Sequence, residues 1–217
     1  MSQPNTEALQ TQPANTEPTY TEWNHQVRDG LKTLQESLIP RFRETELFRV
    51  YSSTLVPGLL QTKGYAAEVL STVAELHELP FDYSAEAAQA RVDRSRVIHE
   101  PGRHFELLIE ESVLQHRLGD TDTMAAQLSH LLTADDLPAV SLGIIPLATP
   151  KRTQWPRETF HVYDDTLVSV ELVSAKVKFT QPSEIALYTK AFAQLRSMAV
   201  YGAEARALIL KARESLP

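Results

Sequence analysis

The chain has 217 residues, 42% of them hydrophobic, which suits one domain with a sizeable core. It has no cysteine, which excludes a disulfide scaffold, a thiolate zinc site and a cysteine nucleophile. Its formal charge of −7, with no Lys/Arg run, argues against a nucleic-acid-binding surface.

Residues 1–20 are rich in Asn, Thr, Gln, Pro and Glu, and Leu9 is the only large aliphatic residue after Met1. Such a stretch buries too little surface to offset its chain entropy, so it is expected to be a disordered tail, with one domain over 21–217. Met-Ser-Gln-Pro-Asn-Thr lacks the basic start and apolar core of a secretory signal. No apolar run reaches the roughly 18 residues of a membrane span. A cytoplasmic setting is expected, with no membrane contact.

Thr21 can cap a helix carrying Trp23, Val27, Leu31, Leu34 and Leu38 at helical spacing, interrupted or kinked at Pro40. Phe48 to Tyr51 reads as a short strand. Pro57-Gly58 marks a turn, and Thr62 caps a helix with Tyr65, Val69 and Val73. Another helix runs from Ser84 to Ile98, ended by Pro101-Gly102. His104–Glu110 reads as a strand, Glu111–Leu118 as a short helix closed by Gly119, and Asp120 or Thr121 caps a helix through Leu132. Val140–Pro146, Phe160–Tyr163 and Leu167–Leu172 alternate as strands, the last two joined as a hairpin by Asp164-Asp165-Thr166. Val177–Phe179 adds a short edge, and helices over 183–198 and 203–214 close the chain. Helices and strands do not alternate strictly along this order. The expected fold is therefore α+β, a mostly antiparallel sheet of about five strands packed with helices, with a helix-rich N-terminal half.

No phosphate loop, dinucleotide fingerprint, nucleophile elbow or His-Glu-x-x-His occurs, so neither a cofactor nor a metal is expected. The remaining candidates are constellations, each with a structural counterpart. Arg49 and Tyr51 share a strand face, with Gln61 beyond the turn; the arginine can bind a carboxylate or phosphate ligand, or tie the loop to an acidic neighbour. Glu111, after Glu110, can serve as a general base or simply favour a helix N-terminus. His161 and Tyr163 share a strand face and can line a pocket or cover a helix. Val56, Leu59 and Leu60 are partner-binding candidates if the Pro-Gly loop is exposed, and core if it is not. The densest basic stretch, Arg91, Arg94, Arg96 and Arg103, is interrupted by Asp93 and Glu100 and reads as a solvated helix face.

Arg49-Val50-Tyr51, Leu55-Val56-Pro57-Gly58-Leu59-Leu60-Gln61-Thr62 and Tyr65-Ala66 together resemble the signature of a bacterial antitoxin-like domain of unknown function. That domain normally follows an XRE-type helix-turn-helix. Arg91 and Arg94 resemble its arginine-bearing helix, Glu111 to Leu114 its Glu-x-x-Leu element with Gly119 after it, and Met124 with Gln127-Leu128 its Met-x-x-Gln-Leu. Val140 to Pro146 is similar to its next strand, Glu171 matches a glutamate ending a late strand, and Phe192 and Leu195 match the penultimate helix. The resemblance spans roughly 22–212. It departs at 151–158, where the family tends to carry a glycine-containing loop, at Ala205 in place of a serine, and in the polar tail standing where the helix-turn-helix is expected.

The resemblance implies a regulatory binding module that engages a small protein partner or a small-molecule ligand, here without its own DNA-binding unit and able to pair as a homodimer. The alternative is a cofactor-independent enzyme of a specialised biosynthetic pathway, with Glu111, His161 and Tyr163 as its catalytic candidates. Direct nucleic-acid binding is not expected.

Overall fold

A computed structural model describes residues 19–79 and 84–217. Residues 1–18, most of the expected tail, lie outside it, but Thr19 and Tyr20 belong to the first strand. That strand, β1 (Thr19–Glu22), is followed by three short helices, α1 (Trp23–Gln26), α2 (Leu31–Glu36) and α3 (Ile39–Glu44). The single helix expected over this stretch is thus divided. Gly30, at φ +90°, takes a backbone conformation closed to most residues, and Pro40 stands in the first turn of α3, where its missing N–H costs nothing.

Next come β2 (Leu47–Ser52), α4 (Lys63–Leu76), α5 (Ser84–Ser95), β3 (His104–Glu110), α6 (Thr121–Ala134) and β4 (Val140–Ile145). Two of the expected caps are in place, but Thr21 caps nothing: it pairs within β1, and α1 starts after Glu22 without a side-chain cap. Thr62 accepts from the Tyr65 N–H at 3.3 Å and Asp120 from the Thr123 N–H at 2.8 Å. The segment after Glu110 forms only a 3₁₀ turn, Glu111–Leu114. β5 (Phe160–Tyr163) and β6 (Leu167–Glu171) pair as the expected hairpin. Asp164, at φ +50°, turns it, and its carboxylate accepts from the Leu47 N–H at 2.8 Å. β7 (Ala175–Phe179), α7 (Pro182–Arg196) and α8 (Gly202–Glu214) complete the chain.

The expectation of about five mostly antiparallel strands is overturned. Among the described residues one sheet has seven strands in the order β1-β7-β6-β5-β2-β3-β4, and it is mixed. β2, β3 and β4 run parallel, and every other pairing is antiparallel. The physical reason lies in the connections. Parallel neighbours need a crossover, and α4 with α5, then α6, supply two of them. Helices and strands do alternate through this middle third, although not at the chain ends. β1 adds the strand with no sequence signal, so β7 is second from the edge.

One face of the sheet packs Phe48, Val50, Phe105, Leu107, Ile109, Leu142 and Ile144 beneath α4, α6 and α8. The opposite face packs Tyr51, Leu108, Phe160, Val162, Val168 and Val170 against Ile185, Phe192 and Leu195 of α7. A third cluster, Val27, Leu31, Ala66, Leu70, Ala87 and Ala88, joins the helices to one another. Small residues on α5 let it sit close to α4. Among the described residues no helix is long and apolar enough to cross a membrane.

Candidate functional site

Two arginine clusters lie against opposite faces of the sheet. On the α7 face, Glu110 ends β3 and is 2% exposed. Arg152 grips it bidentately, Nη2 to Oε1 at 2.6 Å and Nη1 to Oε2 at 3.0 Å, and the Tyr51 hydroxyl donates to Oε1 at 2.9 Å. Burial first, then the hydrogen bond and charge of Glu110, raises the Tyr51 phenol well above its ordinary range, so it stays a donor. Arg152 Nε donates to the Gln154 carbonyl at 3.0 Å, and the Arg157 N–H to the Tyr51 hydroxyl at 3.2 Å. Both carboxylate oxygens are used. This cluster braces the segment 152–157 against the sheet. A groove of about 420 Å³ beside it, between Gln154, Arg157, Glu158 and α7, is crossed by two side-chain hydrogen bonds, Tyr188 to Glu158 and Gln154 to Gln194.

On the other face the picture changes. Strand alternation places Tyr163 and His161 of β5, Ser169 and Glu171 of β6, and Lys176 of β7 on the side toward α2 and α5. The register sets His161 opposite Ser169 and Glu171 opposite Lys176. The His161 and Tyr163 rings stack at 6.1 Å. Above them α5 projects Arg91 and Arg94, three residues apart and so on one helix face. Arg91 donates from Nε to Gln35 Oε1 at 3.0 Å and from Nη1 to Gln61 Oε1 at 2.7 Å. Arg94 donates from Nη1 to the same Gln35 oxygen at 2.9 Å and rests over the Phe42 ring at 4.7 Å. Phe42 in turn packs on Tyr163 at 6.2 Å.

This site is under-satisfied. Arg94 Nε and Ser169 Oγ are buried without a hydrogen-bond partner among the described residues. Burial lowers both arginines below their ordinary range, Arg94 to about 10, with Arg91 adding its like charge. Burial also holds the His161 imidazole at about 4, so it is neutral at pH 7. Burial alone would raise Glu171, but Lys176, His161, Arg91 and Arg94 together hold it below the usual carboxylate range. The Glu171 side chain is nevertheless 49% exposed, and Lys176 approaches it at 3.7 Å. These side chains thus form a polar layer between the sheet and α5, a recess in the sense that it meets solvent at Glu171. The recess sets Arg91 and Arg94, with the Lys176 amine lowered by burial beside them, against one carboxylate.

The sequence-derived candidates fall into distinct places. Arg49 is tied to Asp165 at 3.1 Å and to the Asp164 carbonyl at 3.0 Å, so it anchors the hairpin. Tyr51 belongs to the closed cluster. Gln61 lies outside the Arg49 face; its amide donates to the Val56 carbonyl at 2.7 Å while its oxygen orients Arg91. Glu111 accepts from the Leu147 N–H at 2.7 Å and joins no catalytic group. Val56, Leu59 and Leu60 are buried in the core, so the Pro-Gly turn offers no apolar patch. His161 and Tyr163 do share a face, as the alternation predicts, with their rings stacked. Arg91 and Arg94 are not a solvated face, whereas Arg96 beside them is. Their spacing from Ala87, which is fully buried, places them on the inward stripe of α5, a signal present in the sequence. Ser169 was also findable, since it alternates with Val168 and Val170. Gln35 carries no such mark. Among the described residues no group of His, Asp or Glu is arranged to hold a metal ion.

A family model described as "Domain of unknown function (DUF5753)" matches residues 43–211. No curated protein matches the sequence. Among solved structures, NucT from Helicobacter pylori is 11% identical, with 86% of this chain and 99% of that one covered, at a TM-score of 0.45. TrmBL2, described as an archaeal chromatin protein with a novel mode of DNA binding, is 10% identical over 91% of this chain and 57% of its own, at 0.44. Nuc from Salmonella typhimurium, a phospholipase D family member, is 10% identical over 86% of this chain and 99% of its own, at 0.43. Likenesses this distant leave the chemistry to be read from the residues themselves.

Proposed function

The chain belongs to the DUF5753 family, and we propose that it is a cytoplasmic binding module whose ligand site is the polar recess between β5-β6-β7 and helices α2 and α5. The observation that carries this reading is that two buried polar atoms without a partner among the described residues, Arg94 Nε and Ser169 Oγ, belong to this one polar layer, while the others, Arg103 Nε and Thr189 Oγ1, lie elsewhere. Folded proteins satisfy nearly all such atoms, and each one left over costs about 1–3 kcal/mol. An occupant that supplies the missing partners turns that cost into affinity. The resemblance to domains that follow XRE-type helix-turn-helix units gives the ligand a regulatory meaning: its binding would be reported to an attached or associated protein. A small protein partner reaching into the recess with one side chain is the macromolecular version of the same idea.

Native mass spectrometry tests the reading. The protein, mixed with a fractionated bacterial metabolite extract, is sprayed under gentle and then denaturing conditions beside a His161→Trp variant whose larger ring fills the recess. A small molecule held by the wild type and absent from the variant is the expected result. A ligand held equally by both variants overturns the assignment of the site. The same spectra report whether the chain pairs with itself.

One observation favours the enzyme reading as second choice. His161 is kept neutral at pH 7 beside Tyr163 and Glu171, as a proton acceptor requires. A compound converted to a new mass by the wild type but not by His161→Ala would move the weight to catalysis.

A further inference from the structure

Resting on the recess being a ligand site, we propose that what it binds is the oxyanion end of a small organic molecule, a carboxylate or a phosphate. That group would be held by the Arg94 and Arg91 guanidinium groups of α5 and the Ser169 hydroxyl of β6.

The argument starts from the choice of acceptors. Both arginines are oriented by neutral amide oxygens, Gln35 Oε1 and Gln61 Oε1, at 2.7–3.0 Å. Gln35 is 3% and Gln61 6% exposed, so these acceptors are fixed parts of the wall. An amide oxygen aims a guanidinium without cancelling its charge. The carboxylate available here, Glu171, is already approached by Lys176 at 3.7 Å. The recess therefore holds two half-buried guanidinium groups with their geometry preset and one carboxylate to offset them.

The preset geometry leaves one edge of the fork. Arg94 spends Nη1 on Gln35 and stacks its plane over Phe42, while Nε stays buried without a partner. A guanidinium edge with a free Nε–H matches two oxygens of a carboxylate or phosphate. Ser169 Oγ, equally unpartnered, comes from the sheet beneath and donates to an oxygen of the same group. His161, opposite Ser169, is uncharged and can donate from a ring nitrogen without adding to the charge imbalance. A neutral ligand would satisfy the hydroxyl but leave the cations uncompensated, and a cationic one would add to them.

The experiment uses inorganic phosphate and malonate as probes, at ionic strength held constant with sodium chloride. The readouts are the Arg94 side-chain N–H and His161 ring signals in nitrogen-15 spectra. Saturable shifts of both signals by phosphate or malonate, absent with chloride, are expected, and the tighter of the two probes identifies the oxyanion type. Arg94→Lys, which keeps the charge but not the fork, should weaken binding about tenfold, read on the His161 signal. Ser169→Ala should weaken it about threefold. Should the lysine variant unfold by circular dichroism, Ser169→Ala carries the test, because it removes an atom that has no partner in the fold. No saturation by either anion, with a ligand still retained in native spectra and lost in His161→Trp, overturns the oxyanion assignment and leaves the recess as a site. Unchanged affinity in both folded variants overturns the assigned contacts. No binding of anion or extract component overturns the site and its chemistry together.

Discussion

The sheet carries one arginine cluster on each face, and they are built on opposite principles. On the α7 face Arg152 meets a carboxylate, and Glu110 is gripped at both oxygens with Tyr51 as a third donor. On the α5 face Arg91 and Arg94 meet amides, and polar atoms remain without partners. Both clusters contain buried polar groups, Glu110 in one and Gln35, Gln61 and Ser169 in the other, so burial alone does not separate a structural brace from a binding site. Completeness does. The first cluster has nothing left to offer a ligand, and the second has charge, a donor edge and a hydroxyl in reserve.

The largest effect expected from this contrast is in the closed cluster. Glu110→Leu leaves Arg152 facing an apolar wall and the Tyr51 hydroxyl without its acceptor. The loss should be about 3 kcal/mol, the lower end for breaking a buried pair because Arg152 keeps 23% of its side chain exposed. Urea unfolding measures it. The double variant Glu110→Leu/Arg152→Met should recover most of the stability. A single-variant loss under about 0.5 kcal/mol would mean that the cluster is not a brace, and the comparison would fail on that side.

Gln61→Leu probes the neutral acceptors. It removes a buried amide that serves both the Val56 carbonyl and Arg91. About 2 kcal/mol should be lost, since one buried carbonyl and one guanidinium N–H are left unmatched. If Gln61 is instead dispensable, Arg91 is held by something other than its amides, and the preset geometry of the recess is not explained by them.

The charge state of the recess sets the third effect. His161 titrates at about 4 in the fold against an ordinary 6.5, lowered by burial with Lys176 and Arg94 adding and Glu171 opposing. Arg91 approaches from α5 and Tyr163 from the same strand. With the folded pKa depressed, the unfolded chain binds more protons between the two values. The contribution is therefore fully present above pH 6.5 and is lost as pH falls through 4. With allowance for solvent reaching the recess, about 1–2 kcal/mol should disappear over that window, and His161→Phe should flatten that part of the profile. A ring-proton midpoint near 6.5 would show that the imidazole is open to water and the recess far less enclosed.

The same contrast explains what could be read in the sequence. Hairpin and caps were legible because their causes are local: Asp164 tolerates a positive φ, Thr62 and Asp120 offer short side-chain oxygens, and β5 and β6 alternate with period two. Parallel pairing of β2, β3 and β4 was not, because strand order is decided by where two crossovers land. β1 was invisible: Thr-Tyr-Thr-Glu carries no apolar alternation and is recruited by pairing with β7. In the site, period two was enough to pair His161 with Tyr163 and was also enough to add Ser169 and Glu171. Arg91 and Arg94 were misread as solvated because charge was weighed before helix phase, although Ala87 marks the stripe they share. Gln35 could not be found, since its role exists only where α2 crosses α5.

The smallest effect is the most discriminating, because its sign differs between the two kinds of cluster. In a satisfied network, trimming a buried hydroxyl costs about 1 kcal/mol. Ser169 is 2% exposed and its Oγ has no partner, so Ser169→Ala discards a desolvated group and loses no hydrogen bond. Its thermal midpoint, measured without ligand, should be unchanged or raised by roughly 1–3 °C, the shift that a gain of up to about 1 kcal/mol gives a domain of this size. The control is Tyr51→Phe, which removes a hydroxyl bonded to Glu110 in the closed cluster and should lower the midpoint. A stability that native structure forgoes in the absence of ligand is what a site held ready for one should show. If Ser169→Ala lowers the midpoint as Tyr51→Phe does, the hydroxyl is bonded within the fold, and the recess is as closed as the brace on the other face.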